Sequence, residues 1–331
     1  MKYKIIKFDY PKWWNDIGGV FSLMLPNDDG VLGDCKFYIN DDSIKKCDYW
    51  FICEDHSRYL FQIVQCPKEN CILITNEAES MWNYDKNYLK QFGRIMTCRA
   101  DIEGNNVIQQ QHIFAWHVKK NHSFLTNTQI PNKIEDISAV ISNAFSLEGH
   151  RKRYKLMNRL KGHFKDKLHW FGKGETPIDD KWDGLAPYKY SIAIENSSHY
   201  RYFTEKITDC YLSYTMPIYW GCPNILDYFP KESLIMIEDI DDYKKTIYQI
   251  ENAIENNYFE KGFEKIIEAR NLILSKYQVF YFLKNWIEKD TKFTNQYPKK
   301  NLIKEKAFFS RKLNHKQKLY YFYKRLKHLI L

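Results

Sequence analysis

The stretch "YKYSIAIENSSHYRYFTEKITDCYLSYTMPIYWGCPNI" (188–225) decides how this chain folds. Tyr188, Tyr190, Ile192 and Ile194 alternate as they do on one face of a strand. Thr204 stands where a helix N-cap belongs, and Ile207, Cys210, Tyr211 and Tyr214 follow at the i, i+3, i+4, i+7 spacing of one helical face. "MPIYW" (216–220) reads as the next strand, which Gly221 and Pro223 end. Strand, loop, helix and strand in that order make a βαβ unit, the building block of a parallel sheet wrapped by helices.

In such a unit the loop 195–204 opens at the C-terminal end of a strand, and the helix N-terminus faces the same place. Its unpaired N–H groups and positive dipole end form an anion site. Lys206, in the first helical turn, opposes the dipole; a diphosphate close by would offset that cost. Glu205 would then accept hydrogen bonds from ribose hydroxyls. A capped helix with solvated Glu205 and Lys206 fits the spacing equally well.

Outward from this unit the alternation continues. Strands are expected at 3–8, 47–55, 70–77 and 93–98, with a short helix across 80–92 carrying Met81, Tyr84, Tyr88 and Phe92. A second series gives a strand at 136–145, a helix over "RKRYKLMNRLKGHF" and a strand with a glycine turn at "KLHWFGKG". Helices are expected at 241–256 and 260–288. The polar, proline-containing "TNTQIPNKIED" (126–136) makes the best linker. These features predict two Rossmann-like α/β domains, 1–130 and 136–290, with a ligand in the cleft at the strand C-termini, followed by a tail, 291–331.

A chain of 331 residues exceeds the size at which single cores stop growing, in keeping with two domains. No run is long and apolar enough for a membrane span, and the N-terminus lacks the apolar core of a signal peptide, so a cytoplasmic protein is expected. None of the 8 cysteines forms a C-x-x-C pair, which favours reduced, buried thiols over zinc. The formal charge of +9 is uneven: residues 291–331 carry +11 and the remainder −2. Any membrane or nucleic-acid argument therefore concerns the tail alone. "RKLNHKQKLYYFYKRLKHLIL" (311–331) reads as a basic amphipathic helix suited to an anionic membrane surface, here the cytoplasmic face. A helix packed on the body or in a dimer fits the same pattern. Nucleic acid is not expected, since nothing in the tail provides a fold for reading bases.

Taken whole, 188–229 closely resembles the donor-binding motif of glycosyltransferase family 10, the α-1,3/1,4-fucosyltransferases. That pattern is a strand ending in Phe/Ile-Glu-Asn, then Tyr-x-Thr-Glu-Lys, a helix, and Pro-x-Tyr/Val-x-Gly-x-Pro. "VISNAFSLEGHRKRYKLMNRL" (140–160) is similar to the family's Ser-Asn…Arg-x-Lys-x-x-Asn-x-Leu segment, and "TNEAES" (75–80) resembles its Thr-Gly-Glu-Asn-Glu-Ser. The resemblance implies a GT-B fold, acceptor domain first and GDP-fucose domain second, and an inverting reaction. It places Ser142, Asn143, Arg153 (or Arg151), Lys173, Glu195, Asn196, Tyr202, Thr204, Glu205 and Lys206 on the GDP-sugar, and Glu77 as the base, with Glu79 as the alternative. The chain is expected to hold no Asp-x-Asp motif to carry a metal on the diphosphate, so no cofactor is expected; Lys206, Arg153 and the helix N-terminus would stabilise departing GDP. An oligosaccharide or glycolipid is the expected acceptor. Another GDP-sugar as donor, or a catalytically inactive glycan- or nucleotide-binding protein, are the competing readings.

The other residues have plainer readings. His112 and His117 lack a third ligand and are expected in the acceptor cleft or at the surface. Trp13, Trp14 and Trp116 could stack on sugars or fill a core. Asp179 and Asp180 are expected in a turn.

Overall fold

The computed structural model describes residues 3–11, 14, 20–55, 61–79, 83–142, 148–298, 300–304 and 306–309. The chain divides into two compact units: Met1–Ile17, Pro26–Gln110 and Leu283–Leu331 form one, Gly18–Leu25 and Gln111–Phe282 the other.

In the first unit, β1 (Lys4–Asp9), β2 (Val31–Leu32), β3 (Cys35–Ile39), β4 (Tyr49–Cys53), β6 (Cys71–Thr75), β7 (Arg94–Thr97) and β8 (Val107–Gln109) form a seven-stranded sheet in the order β2-β3-β1-β4-β6-β7-β8. Only the β2–β3 pair is antiparallel. Each residue of β4 (YWFIC) and β6 (CILIT) is buried, as expected of central parallel strands covered on both faces. β5 (Phe61–Val64) pairs antiparallel with β14 (Asn301–Lys304), which returns the far end of the chain to this unit. The helix expected across 80–92 is a single turn, α1 (Lys86–Leu89), started by Asp85, whose carboxylate accepts the Asn87 N–H. Tyr84, Tyr88 and Phe92 nevertheless join the core beside Trp50, Leu73 and Ile95.

The second unit has a fully parallel five-stranded sheet of β9 (Glu135–Val140), β10 (Leu168–Phe171), β11 (Tyr188–Ile194), β12 (Met216–Trp220) and β13 (Ile235–Met236). The order is β10-β9-β11-β12-β13. From β9 the chain moves outward to β10, then crosses back to β11 and proceeds the other way. The strand direction of travel therefore reverses between β9 and β11, and the C-terminal ends of those two strands flank the topological switch point where such sheets bind ligands. The helices of this unit are α2 (His122–Asn127), α3 (Glu148–Phe164), α4 (Glu205–Leu212), α5 (Tyr243–Glu255) and α6 (Tyr258–Leu272); α7 (Val279–Glu288) starts in it and from Leu283 on belongs to the first unit.

The α/β class with Rossmann-like parallel sheets is thus as expected; three boundaries are not. The first is the expected end of the second domain at 290 before a separate tail, since the chain from Leu283 on belongs to the first unit, where β14 pairs with β5. The division falls at 110/111 rather than in 126–136, because 111–127 is anchored on the second unit: the Lys119 N–H donates to Asp180, and the Arg270 guanidinium to the Leu125 carbonyl. The helix expected over 260–288 is broken by a π turn at Ile273–Tyr277 and an extended Gln278. There Tyr277 packs among Phe203, Tyr228 and Phe229, a tertiary demand that helical periodicity does not reveal. The tail 311–331 lies outside the described residues, and no described helix is long and apolar enough to cross a membrane.

Candidate active site

Directly after β11 comes Glu195, a carboxylate with 0% exposure. Its Oε1 accepts the Thr204 N–H at 2.8 Å and its Oε2 the Thr204 hydroxyl at 2.8 Å, closing the loop 195–204 on itself. Thr204 is the N-cap of α4, as expected, with its hydroxyl accepting the Lys206 N–H. The Lys206 ammonium, 17% exposed, meets Glu195 Oε2 at 3.1 Å, Glu205 Oε1 at 3.2 Å and Thr204 Oγ1 at 3.0 Å. The cation that opposes the helix dipole is therefore held by two carboxylates of the protein itself. Glu205 and Lys206 are not the solvated pair of the plainer reading.

Two glycines make this geometry possible by close approach. A Cβ on Gly221 would sit 2.4 Å from Glu195 Cγ, so the Gly-Cys-Pro turn leaves room for the buried carboxylate. A Cβ on Gly149 would sit 1.8 Å from the Asn196 carbonyl oxygen, so the first turn of α3 abuts the end of β11. That approach brings Arg153, one turn further on, to donate to Asn196 Oδ1 at 2.7 Å. Arg153 is only 4% exposed, and its Nε has no partner among the described residues. Burial weighs against its charge, and the carboxylates of Glu195 and Glu205 support it. Arg151 is exposed.

Sequence reasoning missed three members of this cluster. Asp209, one turn after Glu205, accepts the His117 N–H at 3.0 Å and the Lys181 ammonium at 3.3 Å; Lys181 also lies 3.8 Å from Glu205. Only Asp209 had a signal in the sequence, its i, i+4 spacing from Glu205 on one helical face. Burial alone would raise the Glu205 carboxyl, but Lys206, His117 and Lys181 hold it well below the ordinary range. For Lys206, burial opposes the charge and Glu195 with Glu205 raises it above the usual value. Burial pushes Glu195 up, and pushes the His117 imidazole down to about 4, so His117 is neutral at pH 7.

One histidine departs from the expected surface placement. His112 is not a surface residue: it is buried with its ring 5.2 Å from that of Tyr202, and its main-chain N–H donates to the Arg201 carbonyl, while His117 is half-buried. Both belong to the same unit as the motif. Tyr202 is buried, Ser142 half-buried after β9, and Lys173 exposed on the glycine turn after β10. Trp116 is fully buried and unavailable for stacking; Trp14 is also buried. Asn143 and Trp13 lie outside the described residues. Asp180 caps its turn by accepting the Trp182 N–H, as expected. The expectation that the chain holds no Asp-x-Asp is corrected: Asp239-Ile240-Asp241 is one, past the motif. There Asp239 accepts the Asp241 N–H and Asp241 pairs with Lys152 at 3.0 Å, and no cluster of three metal-ligating side chains is found among the described residues.

Glu77 lies in the other unit, half-buried just past the end of β6, while Glu79 is exposed. The Glu77 N–H donates at 2.8 Å to Glu54, a buried carboxylate absent from the sequence-based set.

Residues 130–263 match the family model of glycosyltransferase family 10 (fucosyltransferase), C-terminal part. This is the segment that holds the α4 cluster, and the match to the family's model falls where the motif pointed. Over 124 residues the chain is 31% identical to the α-(1,3)-fucosyltransferase FucT of Helicobacter pylori, a match covering 34% of this chain and 26% of that one. It is 27% identical over 134 residues to the bovine 4-galactosyl-N-acetylglucosaminide 3-α-L-fucosyltransferase 9, covering 39% and 36%. These matches thus span only about a quarter to a third of the relatives' own length. Among solved structures, an α1,3-fucosyltransferase with GDP superposes with a TM-score of 0.49 at 17% identity, covering 84% of this chain and 92% of that one.

Proposed function

We propose that the protein transfers L-fucose from GDP-fucose to a hydroxyl of a glycan, with inversion at the anomeric carbon. The observation that carries this reading is the α4 cluster: Lys206 and Arg153 stand beside a helix N-terminus inside the segment that matches the family model. In this reading the α4 amides, Lys206 and Arg153 neutralise the diphosphate and the charge that develops as GDP departs. Glu205, held ionised, accepts from the ribose hydroxyls, and Ser142, Asn143, Lys173, Asn196 and Tyr202 complete the nucleotide-sugar site. Glu77 takes the proton of the acceptor hydroxyl while that oxygen attacks the anomeric carbon opposite the leaving GDP. Fixed cations do the electrostatic work, and no cofactor is required.

The acceptor is an oligosaccharide or glycolipid; the name of the bovine relative makes a 4-galactosyl-N-acetylglucosaminide the first to try. The basic tail holds the enzyme peripherally at an anionic, cytoplasmic membrane face. GDP release measured with GDP-fucose, GDP-mannose and GDP-glucose across a glycan panel tests the reading. Transfer of fucose supports it; transfer of another sugar, or GDP binding with no turnover, replaces it.

A further inference from the structure

The first unit holds a buried acid for which the proposed chemistry has no use. Glu54 directly follows β4, is 3% exposed, and adopts φ +65°, a left-handed conformation that non-glycine residues seldom take. Everything around it is fixed. Its N–H donates to the Ile74 carbonyl and its own carbonyl accepts from the Tyr88 hydroxyl, both at 2.8 Å. Its Oε1 accepts two successive main-chain amides, Asn76 at 2.5 Å and Glu77 at 2.8 Å. The Tyr84 hydroxyl donates to Oε2 at 2.5 Å, and the Lys306 ammonium lies 3.9 Å from that oxygen and 4.2 Å from the centre of the Tyr84 ring. Lys306 comes from the far end of the chain and is pinned by its own N–H to Asp55 Oδ2 at 3.0 Å.

A buried carboxylate is costly unless its lone pairs are used. Here it is used on the peptide that carries Glu77. Two amides converging on one oxygen fix the backbone at 76–77, and the Arg99 guanidinium contacts the Glu77 carbonyl at 3.4 Å on the other side. Arg99 is itself clamped to Asp101 at 2.6 Å. The main chain of Glu77 is thus held from both ends by charged groups that lie in or against the sheet.

We propose that Glu54 is a positioning residue for the reaction. It sets the main chain of Glu77, and Tyr84 and Lys306 in turn hold the Glu54 carboxylate. The proposal rests on Glu77 being the base. It predicts a defect in the chemical step without a defect in donor binding, because the groups that would bind GDP lie on the other unit.

The test compares Glu54→Ala, Glu54→Gln and Glu77→Gln with the wild type, using GDP-fucose and a 4-galactosyl-N-acetylglucosaminide as acceptor. Calorimetric titration with GDP counts the folded donor sites. Misplacing a reacting group by about 1 Å costs about 10²-fold, so Glu54→Ala should lose about that in kcat with an unchanged KM for GDP-fucose. Glu54→Gln keeps an acceptor oxygen for both amides and should recover most of the rate. Hydrogen exchange at the Asn76 and Glu77 amides should accelerate in the alanine variant and stay slow in the glutamine one. A wild-type kcat in Glu54→Ala, or a loss confined to KM, overturns the proposal. Should Glu54→Ala fail to bind GDP stoichiometrically, Glu54→Gln decides: slow exchange with retained rate supports it, and fast exchange with wild-type rate overturns it. An active Glu77→Gln would remove the base assignment while leaving the exchange result standing.

Discussion

Both donors of Thr204 end on one carboxylate: its amide on Glu195 Oε1 and its hydroxyl on Oε2, each at 2.8 Å. A single buried acid therefore closes the loop, orients the cap of α4 and supplies a counter-charge to Lys206. Removing one partner of a buried ion pair costs about 3–5 kcal/mol. Glu195→Ala should lose about that much stability in urea unfolding, and GDP affinity with it. Glu195→Gln retains one acceptor and should lose less. Equal stability of the alanine variant and the wild type would show that the loop is held by other contacts.

Lys206→Ala tests where the diphosphate sits. If the ammonium neutralises both bound diphosphate and leaving group, GDP affinity and kcat fall together, with kcat down about 10²–10³-fold. Calorimetry that shows unchanged GDP binding would move the diphosphate away from α4.

Glu77→Gln removes only a proton acceptor. It should reduce transfer by about 10²–10⁴-fold while GDP binding stays near normal. The exposed Glu79, changed to Gln, should retain activity. The reverse pattern would make Glu79 the base.

The β11–α4–β12 unit was legible because it is local: alternation, an N-cap and a turn residue fall within one contiguous stretch. The identity of the buried partners was not. Glu195 read as a nucleotide ligand, yet its hydrogen bonds to Thr204 arise only once the loop folds back on itself. Lys181 and His117 reach Glu205 and Asp209 from segments remote in sequence, and no periodicity links them. Glu54 was invisible for the same reason, since its partners come from 76–77, 84 and 306. The break at Ile273–Tyr277 lies inside an unbroken helical pattern, where ring packing of Tyr277 overrides propensity. The domain boundary was misplaced because polar composition marks a loop, and the loop at 128–134 lies within a unit rather than between two.

Asp209 offers a test of the cluster that needs no substrate. It is 1% exposed, and burial pushes its carboxyl from 3.8 up to about 6 despite the opposing pull of Lys181. Between those two values the folded protein keeps a proton that the unfolded chain has lost, so this group makes stability fall as pH rises from about 4 to about 6. Above pH 6 the full cost is present. At ~1.4 kcal/mol per unit, screened by Lys181, that cost is about 1–3 kcal/mol. His117, pushed down to about 4, acts with the opposite sign: the unfolded state binds its proton first, and stability falls as pH drops from 6.5 toward 4. In Asp209→Asn the histidine contribution remains and the aspartate contribution is gone. Urea unfolding of both proteins at pH 4, 5, 6 and 7 should show the wild type losing about 1–3 kcal/mol relative to the variant between pH 4 and 6, with no further change above that. A difference that is flat, or that grows in the wild type's favour with rising pH, would mean that Lys181 and the His117 amide keep Asp209 ionised throughout.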